Sequence, residues 1–100
     1  MTIETKENGN EITVALTGRL DTTTAPQLET ELNGILDKVE KLILDFSGLE
    51  YVSSAGLRVL LLAQKTLKNQ GNGEMVIRHV NETIHEVFEV TGFLDILHVE

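Results

Sequence analysis

The sequence has no cysteine and no tryptophan, one proline, one tyrosine and three phenylalanines in 100 residues. Without cysteine there is no disulfide framework and no thiolate metal site, so the fold must hold by packing alone and suits a reducing cytosol. Cations are scarce too: Lys and Arg number 8 against 16 Asp and Glu, a formal net charge of −8. That balance argues against direct contact with nucleic acid or an anionic membrane, since both reward positive charge. The longest unbroken apolar run, Val59–Ala63, is five residues, far short of the roughly 20 that cross a bilayer. Met1-Thr2-Ile3-Glu4 offers neither the basic nor the apolar region of a secretory leader, so none is expected. What is present is an apolar share of 41%, enough for a core and too high for a disordered chain. Residues 1–100 are read as one domain, with no linker, repeat or low-complexity stretch.

Hydropathy patterning predicts an α/β chain. Thr2–Glu7 alternates weakly and meets the turn signal Asn8-Gly9-Asn10, while Glu11–Gly18 places Ile12, Val14 and Leu16 on one face; together they predict an N-terminal hairpin. Ala25, Leu28, Leu32, Ile35, Leu36 and Val39 share one helical stripe, with Thr24 as N-cap, Pro26 in the first turn and Gln27 at capping-box spacing. Leu42–Phe46 reads as a strand buried on both faces, followed by a turn over Ser47–Val52. A second helix runs from about Ser54 to Asn69 with Leu57, Leu60, Leu61, Gln64 and Leu67 facing inward, stopping at Gln70-Gly71-Asn72-Gly73. Glu74–Val80 is a strand, Asn81 caps a third helix ending at Gly92, and Ile96–Val99 is a last strand. The order ββαβαβαβ implies helical crossovers between near-parallel strands.

Two strand-to-helix junctions hold the candidate chemistry. At the first, Ser53 and Ser54 precede an apolar helix whose first turn contains Gly56. Either hydroxyl can cap the helix. The glycine sits where a helix former would be better by up to about 1 kcal/mol, which predicts a close approach to its backbone, for example by a neighbouring chain. A plain cap and a packing glycine account for the spacing. A modified serine accounts for it as well: a phosphate there meets oriented N–H groups and adds about −1.5 to −2 charges. At the second junction, Thr17-Gly18-Arg19-Leu20-Asp21-Thr22-Thr23-Thr24, the hydroxyls and Asp21 are equally explained as caps. If the two helices cross over from neighbouring parallel strands, both junctions lie on the carboxyl edge of the sheet, where open α/β sheets bind.

Other chemistry lacks its parts. Ser54 has Gly56 after it but Val52 before it, so the serine-hydrolase elbow is incomplete. No spacing places His79, His85 or His98 beside either serine as a base. There is no phosphate-binding loop and no spacing suited to zinc, so no cofactor or metal is expected.

Taken together, Thr17–Asp21, Leu42–Ser47, Tyr51–Leu60, Gly73-Glu74-Met75 and Phe88–Phe93 make the chain resemble STAS domains of the bacterial anti-sigma factor antagonist type over essentially its whole length. The resemblance implies a mixed, mostly parallel β-sheet with helices mainly on one face, and no enzymatic activity. It implies that the unphosphorylated protein binds an anti-sigma factor that is also a serine kinase of the GHKL type, freeing the sigma factor. The kinase then phosphorylates a serine at the start of the second helix, and a PP2C-type phosphatase reverses it. Well-known members read Asp-Ser-Ser-Gly; here Ser53-Ser54-Ala55 precede Gly56, so Ala55 takes the usual acceptor position and Ser53 that of the Asp. The resemblance therefore carries phosphorylation to Ser54, with Ser53 second, and partner binding to Asp21, Thr22, Thr23, Ser53, Ser54, Ala55, Gly56 and Arg58. An alternative on the same fold is a STAS interaction subunit of a transport or signalling complex that is never phosphorylated. A small hydrolase using Ser54 is the rival from another class.

Overall fold

The computed structural model describes residues 1–71 and 73–100. Strands β1 (Thr2–Asn8) and β2 (Glu11–Leu20) form the hairpin, followed by α1 (Ala25–Asn33), β3 (Lys41–Val52), α2 (Ser54–Asn69), β4 (Glu74–Arg78), α3 (Glu82–Thr91), a 3₁₀ turn (Phe93–Asp95) and β5 (His98–Val99). The hairpin loop is Gly9-Asn10, with Asn8 paired to Glu11 and Gly9 at φ 65°. A glycine at that first loop position is what a type II′ turn requires.

The five strands lie in the order β1-β2-β3-β4-β5, with β1–β2 antiparallel and every later pair parallel. From β2 onward each crossover steps the same way across the sheet. Because such crossovers are right-handed, α1, α2 and α3 must all land on one face. The core agrees: Ile12, Val14 and Leu16 of β2, Leu42, Leu44 and Phe46 of β3, and Met75 and Ile77 of β4 pack with Leu28, Leu32, Leu57, Leu60, Ile84 and Phe88 of the helices. The other sheet face carries Thr13, Lys41, Asp45, Glu74, Arg78 and His98, with Ile43 and Val76 buried among them.

Four expected boundaries move. The predicted stripe to Val39 is correct in burial, but α1 ends at Asn33, and Leu36 and Val39 reach the core from turns beyond Gly34. Glycine weakens helix continuation there, and Ile35 N–H and Leu36 N–H both donate to the Leu32 carbonyl. The expected turn over Ser47–Val52 is strand: β3 continues to Val52 and β2 to Leu20. Register shifts between Ala15/Thr17 and Gly18/Arg19 leave extra residues on β3, and such bulges break the two-residue alternation that reveals a strand. β4 stops at Arg78, because His79 turns the chain at φ 62°. The last strand is only His98–Val99, since the chain before it forms the 3₁₀ turn. The predicted stop after Asn69 includes Asn72, which lies outside the described residues.

Candidate functional site

Parallel strands β2, β3 and β4 each deliver the chain to a helix N-terminus on the same sheet edge. Ser53 ends the strand run with extended backbone (φ −89°, ψ 175°) and is the N-cap of α2, its Oγ accepting from Gly56 N–H over a long 3.4 Å. Ser54 is therefore the first helical residue, and its side chain is exposed. The two hydroxyls are thus divided between a cap and a free surface group, a distinction the sequence left open.

Neighbouring strands bring the two junctions together. Ser53 N–H donates to the Leu20 carbonyl at 2.8 Å, directly joining the α2 mouth to the residue before Asp21. Gly56 is buried, and a Cβ there would lie 2.7 Å from Leu20 Cγ and 3.1 Å from Val52 Cγ1. The expected close approach is real, but it comes from Leu20 of the same chain. Gly56 shapes the rim from beneath and presents no side chain.

The Asp21–Thr24 loop is self-braced. The Asp21 carboxylate accepts from Thr23 N–H at 3.0 Å and the Thr23 hydroxyl at 2.8 Å. The Thr24 hydroxyl accepts from Asp21 N–H and donates to the Arg19 carbonyl, each at 2.8 Å. Thr24 precedes α1 without a side-chain cap, so the predicted capping box does not form; its hydroxyl is spent on the loop. The Thr23 hydroxyl, with help from the backbone amides, holds the Asp21 carboxyl below its ordinary value. Arg19 sits 3.9 Å from the same carboxylate and 4.7 Å above the Tyr51 ring centroid.

Thr22, Ala55 and Arg58 share an open groove of about 280 Å³ with Ala25, Pro26, Glu29, Val59 and Leu62. A second hollow of about 210 Å³, containing Leu32, Leu36, Ala63 and Thr66, shares Glu29, Val59 and Leu62 with it. Together they form a trough between α1 and α2. Leu62, 46% exposed, was absent from the predicted inward stripe of α2. Its place four residues after Arg58 and eight after Ser54 was the available signal.

The strand order never reverses among β2–β5, so the sheet lacks the crevice that a reversal opens for small ligands. The rim is a shallow surface of exposed hydroxyls, Arg58 (unpaired among the described residues), the Arg19–Asp21 pair and a Leu-lined trough, which can meet another macromolecule. Among the described residues no histidine hydrogen-bonds to either serine: His79 Nδ1 lies 2.9 Å from Asp45 Oδ1 and His98 Nδ1 lies 3.7 Å from Glu74 Oε1, both pairs on the helix-free face. The His79 contact, helped by the Ser47 N–H, holds the Asp45 carboxyl below its ordinary value. No cluster of three or more potential metal ligands occurs among the described residues.

Comparison with known proteins places this geometry. The sequence profile described as the STAS domain matches residues 2–100. The chain is 46% identical over 85 residues to a Bordetella bronchiseptica protein named as the anti-sigma factor antagonist BtrV, covering 84% of this chain and 72% of the relative. It is 29% identical over 97 residues to the anti-sigma-B factor antagonist of Bacillus subtilis, covering 97% and 88%. The solved anti-sigma factor antagonist SpoIIAA in its unphosphorylated form superimposes with a TM-score of 0.78 at 17% identity, covering 99% of this chain and 87% of that one. The phosphorylated form of SpoIIAA, from Bacillus, superimposes with a TM-score of 0.77 at 18% identity, covering 99% and 91%. At such identities these structures share the fold.

Proposed function

The chain belongs to the STAS domain family, and from that premise we propose that it is an anti-sigma factor antagonist that works by partner switching. Unphosphorylated, it binds an anti-sigma factor that is a serine kinase of the GHKL type, so that the sigma factor is released. The contact surface is the rim formed by Asp21, Thr22, Thr23, Ser53, Ser54, Ala55 and Arg58, with Gly56 holding the α2 mouth against Leu20. The chain acts as a binding protein and substrate, not as an enzyme, and works in the cytoplasm.

The observation that carries this reading is the exposed Ser54 on the first turn of α2, held beside the Asp21 loop because the preceding Ser53 donates its N–H to the carbonyl of Leu20, the residue before Asp21. The kinase transfers the γ-phosphoryl group of ATP to it: the Ser54 Oγ–P bond forms, the bond to ADP breaks, and the hydroxyl proton leaves to a base of the kinase. The product adds about −1.5 to −2 charges at the positive end of a helix, where the fold tolerates them. The partner, in contrast, must then desolvate a phosphate. A PP2C-type phosphatase returns the hydroxyl by hydrolysis. Two facts support Ser54 over Ser53: Ser53 is spent as the cap, and Ser54 is the more exposed of the two.

Incubation with the cognate kinase, ATP and Mg²⁺, followed by intact-mass measurement of wild type, Ser54→Ala and Ser53→Ala, tests the assignment. The expected result is one phosphoryl group on wild type and Ser53→Ala, and none on Ser54→Ala. An unmodified wild type that still binds the partner tightly supports an unphosphorylated interaction subunit instead.

A further inference from the structure

Four residues of α2, Ser54, Arg58, Leu62 and Thr66, recur at intervals of four and are all exposed. Residues so spaced are neighbours on one helix face, with Cβ atoms about 5–6 Å apart. Ser54 and Arg58 therefore lie side by side, one turn apart. The other two arginines have partners: Arg19 has Asp21 and the Tyr51 ring, and Arg78 Nε is 2.7 Å from Glu100 Oε1. Among the described residues Arg58 has no ion pair, although Glu29 lines the same groove. On a chain of net charge −8, an unengaged cation in a groove is the most distinctive charge the rim offers.

We propose that Arg58 is the counter-ion of a phosphate on Ser54, so that modification withdraws from the docking groove the cation that the unmodified protein presents to its partner. The inference rests on the reading of Ser54 as the phosphoacceptor. An acid four residues before a base is the favourable orientation for such a pair on a helix. A guanidinium can engage two phosphate oxygens at once, while the free N–H groups of the first turn lie close to the phosphate. The local charge then passes from about +1 on Arg58 alone to roughly −0.5 to −1 on the pair. A partner carboxylate that met Arg58 loses its cation and meets a net anion, so one modification changes both the sign and the availability of the docking charge.

The test places phosphoserine at position 54 during synthesis, independent of any kinase, and follows its ³¹P chemical shift against pH in wild type, Arg58→Gln and Arg58→Lys. Arg58 is exposed, so the variants keep the fold. Asp21, Glu29 and Arg19, the other charges around the rim, are constant throughout. An arginine that pairs with the phosphate favours its dianion. The second phosphate pKa is then lower in wild type than in Arg58→Gln by about 0.3 unit or more, with Arg58→Lys recovering part of the difference. Equal values in wild type and Arg58→Gln overturn the pairing. Failure of a cognate kinase to modify Ser54 in the native chain is a separate result, which refutes the acceptor assignment and leaves the ³¹P outcome standing.

Discussion

Replacing Gly56 by alanine sets two effects of opposite sign against each other. Alanine in a helix is favoured over glycine by about 0.5–1 kcal/mol. Against that, the new methyl would lie 2.7 Å from Leu20 Cγ, 3.0 Å from Leu20 Cδ2 and 3.1 Å from Val52 Cγ1. Leu20 is fully buried and Val52 nearly so, and Cγ is the branch point of its side chain, so neither neighbour can swing aside cheaply. Overpacking of this kind costs about 1–3 kcal/mol, leaving a net loss of about 1 kcal/mol. For a chain of this size that lowers Tm by about 4–8 °C. Thermal unfolding followed by circular dichroism measures it. Gly34→Ala is the control: that glycine is exposed, has φ −77°, and its Cβ would meet only Glu31 O at 3.5 Å and Thr30 O at 3.9 Å, both ordinary contacts. It should gain about 0.4–1 kcal/mol. Gly56→Ala in a Leu20→Ala background should lose most of its penalty, because both Leu20 atoms are gone and only Val52 Cγ1 at 3.1 Å remains. A Gly56→Ala protein as stable as wild type, or more so, refutes the claim that Leu20 sets the need for glycine.

Further outcomes follow from the same geometry. Ser53→Ala removes the α2 cap and should lower stability by about 0.5–1 kcal/mol in urea unfolding, whereas Ser54→Ala should stay within about 0.5 kcal/mol of wild type. Asn81→Ala should cost about 1–2 kcal/mol, because Asn81 Oδ1 accepts from Ile84 N–H at 2.8 Å while its Nδ2 donates to the Leu49 carbonyl at 3.0 Å. Asp21, Asp45 and Glu100 all have carboxyls held below their ordinary values, chiefly by Thr23, His79 and Arg78 in turn. Their contribution is present above the unfolded carboxyl pKa, near about 4, and is lost as pH falls through the lower folded values. Asp45→Asn should therefore flatten the decline of Tm below about pH 4, and an unchanged slope would count against the His79–Asp45 pairing.

Much of the fold was legible because burial on one face leaves a periodic trace. Ala25, Leu28 and Leu32 of α1, Leu57, Leu60 and Leu67 of α2, the Gly9 turn and the Asn81 and Gly92 caps are local signals that appear where the sequence placed them, whereas Leu36 and Val39 lie beyond α1, and Val59 and Ala63 are buried where Leu61 and Gln64 are only half-buried. The continuation of β3 through Ser47–Val52 was not legible, since its bulges are set by pairing with β2 and its Ser-Gly pair reads locally as a turn. The positive φ of His79 also has no local signature. At the rim, both serines and the Asp21 loop could be named from their positions at strand-to-helix junctions. Which serine caps, what Gly56 approaches and where Leu62 points depend on Leu20 and α1, distant partners that a linear reading cannot see.

The most direct test is the dissociation constant of the cognate kinase-type anti-sigma factor for this chain before and after stoichiometric phosphorylation at Ser54. A cost of about 3–4 kcal/mol at the contact predicts affinity weakened by several hundred-fold. Equal affinity of the two forms would contradict the switch.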